Sequence, residues 1–68
     1  MIVVVNGQDR DVRPGDTIAD VIAQLDVGPG ATGVAVACNG EVVLRSRWSD
    51  VTVAAGDRIE VLQAVQGG

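Results

Sequence analysis

The sequence lacks most of the groups that give small domains covalent or metal-based stability. It contains no histidine and one cysteine, Cys38. One cysteine excludes an internal disulfide framework, and the absence of histidine excludes an ordinary Cys/His zinc site. We expect no metal. The stability of this 68-residue chain must therefore come from packing, for which hydrophobic residues (47% of the chain) supply the material.

Aromatic residues and positive charge are also scarce. Trp48 is the only aromatic residue, and five arginines stand against nine acidic residues, giving a formal net charge of -4. Nucleic-acid binders normally carry a basic patch that displaces counterions from phosphates, and single-strand binders carry aromatic rings on which bases stack. We therefore expect no nucleic-acid partner.

Long hydrophobic runs are missing as well. No apolar segment approaches the ~20 residues that span a bilayer, so we expect no membrane association. Met1 leads directly into a strand-like segment, and we expect no signal peptide. A free cysteine without a partner fits a reducing compartment. These features predict a cytoplasmic protein.

Two Asn-Gly pairs each predict a β-hairpin, because Asn-Gly favours the tight turn that matches strand twist. Asn6-Gly7 follows a β-branched run, and Asn39-Gly40 follows an alternating apolar one. The hairpins would pair residues 2–5 with 8–13 and residues 34–38 with 41–45. Residues 46–50 would form a loop or short turn, residues 51–53 a brief extended piece, and residues 59–65 the last strand.

A helix is predicted between the hairpins. Thr17 can cap its N-terminus, with Asp20 three residues later as a short-armed capping box. Four aliphatic residues follow at positions i, i+3, i+4 and i+7, which places them on one helix face. These residues are Ile18, Val21, Ile22 and Leu25. The segment 28–30, Gly-Pro-Gly, would end the helix.

The predicted order of elements is hairpin, helix, hairpin, loop and final strand. Strands on both sides of one helix indicate an α+β domain, with a mixed four- to five-stranded sheet and the helix packed across one face. If the first and last strands pair centrally, the fold is a β-grasp. Residues 1–65 would form this single domain, and residues 66–68 a flexible tail ending in Gly-Gly.

Several segments match the pattern of a known family. They are 5–7, 14–18, 36–43, Arg45-Ser46 with Trp48, 56–61 and 64–68. Through them the chain resembles, over essentially its whole length, the ThiS sulfur carriers of thiamine biosynthesis, which belong to the β-grasp, ubiquitin-like superfamily. The chain departs from the family at Leu44, where proline is frequent, and at Cys38, where an aliphatic residue is usual.

The resemblance implies that Gly68 is the working residue. In such carriers a ThiF-like enzyme uses ATP to adenylate the C-terminal carboxylate, and a persulfide donor converts it to a thiocarboxylate. A ThiG-like thiazole synthase then takes the sulfur for the thiazole ring. Gln66 and Gly67 would thread into the partner, since glycine lacks a Cβ. The chain itself would be no enzyme and would bind no cofactor.

Other interpretations remain open at this stage. The chain could carry sulfur for molybdopterin, cysteine or tRNA thiolation, modify proteins through Gly68, or act as a plain interaction module. Trp48 could contact a partner or cap the core, and the sequence does not separate these roles. Cys38 shares the strand face of Val34 and Val36, which favours an inert core thiol. Arg45, Arg47 and Arg58 could steer association with an acidic surface, but ordinary surface salt bridges are the favoured explanation.

Overall fold

The computed structural model describes residues 1–25 and 33–63, which form five strands, one α-helix and one short 3₁₀-helix. In chain order these are β1 (Ile2–Val5), β2 (Gln8–Asp11), α1 (Ile18–Gln24), β3 (Val34–Cys38), β4 (Glu41–Val43), the 3₁₀-helix (Arg45–Arg47) and β5 (Arg58–Gln63).

The strands form one mixed sheet in the order β2-β1-β5-β3-β4. The first and last strands of the chain, β1 and β5, pair in parallel near its centre, whereas all other neighbours are antiparallel. One helix and a five-stranded mixed sheet of this order are the β-grasp arrangement. The predicted α+β class and topology are therefore confirmed.

Both hairpin turns form as predicted. Asn6 and Asn39 have φ values of 50° and 52°, and each is followed by a glycine at positive φ. This backbone suits an Asn-Gly turn, since asparagine tolerates the left-handed region better than most residues.

The return strands are shorter than predicted. β2 ends at Asp11, opposite Ile2, which is the first residue of β1. Beyond these two strands the backbones of Met1 and Val12 still exchange two hydrogen bonds, of 2.8 and 2.9 Å. β4 ends at Val43, because Leu44 already caps the 3₁₀-helix. The loop predicted for residues 46–50 therefore begins one residue earlier, at Arg45, and its first part is the 3₁₀-helix Arg45–Arg47.

The helix begins as predicted and is anchored at its N-terminus. The Thr17 hydroxyl accepts from the Asp20 backbone N–H, and the Asp20 carboxylate accepts from the Thr17 N–H, which completes the capping box. The helix ends at Gln24, earlier than predicted, because Leu25 turns to an extended conformation. The Gly-Pro-Gly segment 28–30 lies outside the described residues.

The core lies between α1 and the helix-facing side of the sheet. Ile18 and Val21 are almost fully buried, whereas Ile22 and Leu25 are half-buried and pack against the edge of the core. The buried residues of the sheet and loops that surround them are Val3, Val5, Val12, Val36, Trp48, Val53 and Ile59. The extended piece predicted at 51–53 is reduced to a single bridge between Thr52 and Thr17.

Candidate functional site

β5 is the strand that leads to the predicted sulfur-carrying end. Its last described residue is Gln63, and the predicted strand residues 64 and 65 lie beyond it. Gln66, Gly67 and Gly68, the predicted site residues of the tail, also lie outside the described residues. The structure therefore describes the base from which the tail starts and the surface around that base.

The two edges of β5 are paired to different extents. On one edge β3 pairs with β5 over five residues, as far as Val34 opposite Gln63. On the other edge β1 pairs only with Arg58 and Ile59, at the start of the strand. The part of β5 nearest the tail therefore has a strand neighbour on the β3 edge alone.

Two asparagine side chains extend this pairing. The Asn6 side chain accepts from the Val61 N–H (2.9 Å) and donates to the Val61 carbonyl (3.1 Å). The Asn39 side chain accepts from the Arg58 N–H (2.9 Å) and donates to the Asp57 carboxylate (3.1 Å). The first residue of each hairpin turn thus binds β5, Asn6 near its end and Asn39 at its start.

An apolar surface lies on the side of the sheet that faces away from the helix. We call it the outer patch and define it as Val42, Leu44 and Leu62, whose exposures are 75%, 66% and 69%. Val42 and Leu62 border one shallow depression, which is also lined by Ala35, Ala37 and the exposed Glu60. Val42 and Leu44 line a neighbouring one. Single exposed hydrophobic residues are ordinary on protein surfaces. A group of them near the end of β5 is a candidate binding surface.

Strand alternation and strand register place Val42 and Leu62 on the same face of the sheet. Ile59 points into the core, and strand alternation then directs Leu62 to the opposite face. Val42 lies opposite Ala37 in the register of β3 and β4. The patch becomes visible only when the strand order brings β4 and β5 to either side of β3.

Trp48 lies in the core. The residue is 8% exposed, and its indole N–H donates to the Val43 carbonyl at 2.9 Å. The Arg45 guanidinium lies over the ring, 5.1 Å from its centroid. Of the two roles that the sequence left open, this burial favours the core role.

Cys38 packs at the margin of the core and not inside it. It is half-buried, because it ends β3 next to the Asn39-Gly40 turn. Burial raises the pKa of the Cys38 thiol, and the carboxylates of Asp57 and Glu41 add to the rise. A raised pKa keeps the thiol protonated near neutral pH, which disfavours its use as a nucleophile.

Over residues 1–25 and 33–63, no three His, Cys, Asp or Glu side chains are grouped so that they could hold a metal ion. Within that part of the chain, no helix combines the length and the apolar character needed to cross a membrane.

The fold and the site together define a β-grasp protein whose central strand leads to its C-terminal residues. The model of the ThiS family matches residues 3–68. The chain therefore belongs to the ThiS family.

Two curated relatives extend this comparison. The chain is 32% identical over 68 residues to the sulfur carrier protein ThiS of Escherichia coli K12, and the match covers all of both chains. It is also 32% identical over 68 residues to a thiazole synthase of Paramagnetospirillum magneticum, of which it spans 20%. In that second protein, a segment similar to this whole chain is part of a longer polypeptide.

Solved structures agree with the sequence comparison. The crystal structure of the thiamine biosynthesis protein ThiS from Geobacter metallireducens is 33% identical, with a TM-score of 0.80 and full coverage of both chains. The solution structure of a thiamine biosynthesis protein from the same organism has a TM-score of 0.76, covering all of this chain and 88% of that one.

Proposed function

We propose that this chain carries sulfur for the thiazole ring of thiamine as a thiocarboxylate on Gly68. The carrier role in thiamine biosynthesis rests on membership of the ThiS family and on the end-to-end match to the E. coli sulfur carrier. The chain would act as a carrier and co-substrate in the cytoplasm, with no active site or cofactor of its own.

The chemistry needs activation because a carboxylate has no good leaving group. A ThiF-like enzyme would join the Gly68 carboxylate to the AMP part of ATP and release pyrophosphate. A persulfide donor would then attack the acyl carbon, and AMP would leave. A thiol would cleave the resulting S–S bond, forming a disulfide and releasing the thiocarboxylate. Splitting one hard substitution into two easier steps is the usual benefit of a covalent intermediate.

A thiazole synthase is the partner that the comparisons favour for sulfur delivery. The P. magneticum thiazole synthase contains a segment similar to this entire chain. Fusion in one polypeptide holds a carrier close to the enzyme that uses it and so raises its effective concentration there. We propose that this chain delivers its sulfur to a ThiG-like synthase.

The outer patch is our proposed docking surface for the adenylating enzyme. Leu62 lies six residues before Gly68, a span of at most ~20–22 Å when fully extended. An enzyme that holds the Gly68 carboxylate in its active site must therefore approach the surface around Leu62. Arg45, directly after Leu44, and Arg47 are both exposed, so an acidic rim on the enzyme would complement this side of the surface.

Intact-mass spectrometry tests the proposal. The purified chain is incubated with an adenylating enzyme of the ThiF type, ATP and a persulfide donor. We expect a mass gain equal to one oxygen-to-sulfur exchange, located on Gly68 by fragmentation, and no gain without ATP. An unchanged mass with an enzyme that thiolates a known carrier would contradict the proposal.

A further inference from the structure

The side chain of Asn6 takes the place of a further β1 residue beside β5. The backbone N–H of Asn6 donates to the Ile59 carbonyl at 2.9 Å, and its side-chain amide then makes both bonds to Val61. A primary amide carries one acceptor oxygen and two N–H donors, so it can reproduce the pairing of a peptide unit. The Asn6 side chain thus continues the β1 edge where the backbone of β1 turns away into the hairpin.

This contact decides how far β5 is held on both edges. With Asn6 in place, its side-chain amide holds Val61 on the β1 edge. On the other edge, this part of β5 is held by its pairing with β3. Without the amide, the last residue held on both edges would be Ile59. Two more residues, a length of up to ~7 Å, would then be held on the β3 edge alone.

We propose that Asn6 is a positioning residue for the C-terminal carboxylate. By holding Val61, Asn6 fixes the position and direction of the end of β5, from which the tail enters the adenylating enzyme. This inference rests on the proposed function and adds a specific residue to it. Asn6 touches neither ATP nor the reacting atoms and acts only through β5.

Asn39 supplies an internal control. It also opens an Asn-Gly turn, its φ differs from that of Asn6 by only two degrees (52° and 50°), and its side chain also makes two hydrogen bonds. Its bonds hold the start of β5, at Arg58 and Asp57, whereas those of Asn6 hold Val61 near the end. A purely structural role would make the two asparagines equivalent, and a positioning role would not.

The experiment compares Asn6→Gly with Asn39→Gly. Glycine adopts positive φ without strain, so each turn is kept and only the side-chain bonds are lost. Three quantities are measured for each variant: the unfolding midpoint, amide hydrogen exchange at Val61 and Arg58, and steady-state ATP–pyrophosphate exchange with the adenylating enzyme. A third variant, Asn6→Asp, keeps the turn and the acceptor but loses the donor to the Val61 carbonyl, and it serves if Asn6→Gly does not fold.

We expect Asn6→Gly to lower kcat about tenfold or more with little change in KM. Misplacing reacting groups by ~1 Å can cost up to ~100-fold, whereas the outer patch that sets docking is retained. Exchange should quicken at Val61 in Asn6→Gly and at Arg58 in Asn39→Gly, and only the former should lose kcat. Asn6→Asp should show the same kind of defect.

Equal kcat values in the two glycine variants would overturn the inference. This holds if both kcat values match that of the wild type, and also if both fall in proportion to the stability lost. A defect of Asn6→Gly confined to KM would also overturn it, since that pattern reports docking. If the wild type itself is not adenylated, the proposed function fails, and the positioning role fails with it. The wild-type reaction therefore separates the two failures.

Discussion

At the scale of single residues, Cys38 is the side chain most easily mistaken for a sulfur relay. Burial first, and then the carboxylates of Asp57 and Glu41, raise the pKa of its thiol, which leaves little thiolate near neutral pH. We predict that Cys38→Val folds and forms the Gly68 thiocarboxylate at the wild-type rate, as measured by intact mass over time. A folded variant that no longer acquires sulfur would make Cys38 part of the relay.

The same substitution has a pH-dependent readout. Because the thiol pKa is raised on folding, the folded state favours the protonated form. The resulting stabilisation is complete below the unfolded-state pKa and is lost as pH rises through the folded-state pKa. Urea denaturation at increasing alkaline pH should therefore show the wild type losing stability relative to Cys38→Val. A difference between the two that does not vary with pH would contradict the assigned environment.

At the scale of elements, the helix contributes to the core unequally along its apolar face. Ile18 is fully buried, whereas Ile22 is half-buried. Truncating a buried isoleucine to alanine removes transfer free energy and leaves a cavity, at a cost of ~2–5 kcal/mol. We predict a cost in this range for Ile18→Ala and a smaller one for Ile22→Ala, measured by urea denaturation. Equal losses would mean that the core extends under Ile22 more fully than the structure shows.

Elements with local signals could be predicted from the sequence, and those set by distant partners could not. The Asn-Gly turns and the Thr17–Asp20 cap depend on neighbouring residues, and both form as expected. The lengths of β2 and β4 depend on where β1 begins and where the 3₁₀-helix begins. No pattern within either strand records these limits, and both strands were predicted too long.

The candidate site divides in the same way. The Gly67-Gly68 ending could be recognised from sequence because its chemistry lies in the last residues themselves. The outer patch could not, because Val42 and Leu62 are twenty residues apart and become neighbours only through the pairing of β3 with both β4 and β5. The bonds of Asn6 to Val61 could not be predicted for the same reason, because they join residues 55 positions apart.

At the scale of the whole molecule, docking of the adenylating enzyme on the outer patch can be tested by substitution. Val42→Asn would place an amide in the proposed interface, and leaving such a group unpaired when buried costs ~1–3 kcal/mol. We predict that KM for the adenylating enzyme rises about tenfold while kcat and the unfolding midpoint change little. Ile2→Asn is the matched control, because Ile2 is 46% exposed but lies in β1, outside the patch. An equal rise in KM for both variants would argue against docking through the patch.

The most direct test is whether adenylation depends on how far the C-terminal carboxylate extends from the domain. Deleting Gly68 leaves a carboxylate on Gly67, so the charge and the chemistry persist while the reach shortens by up to ~3.3–3.6 Å. Reacting atoms must approach to ~3–3.5 Å, so we predict near-complete loss of ATP–pyrophosphate exchange and of thiocarboxylate, with binding to the adenylating enzyme retained. Truncated protein that is thiolated on Gly67 at the wild-type rate would contradict the central claim that the Gly68 carboxylate is the group this chain carries into its partner.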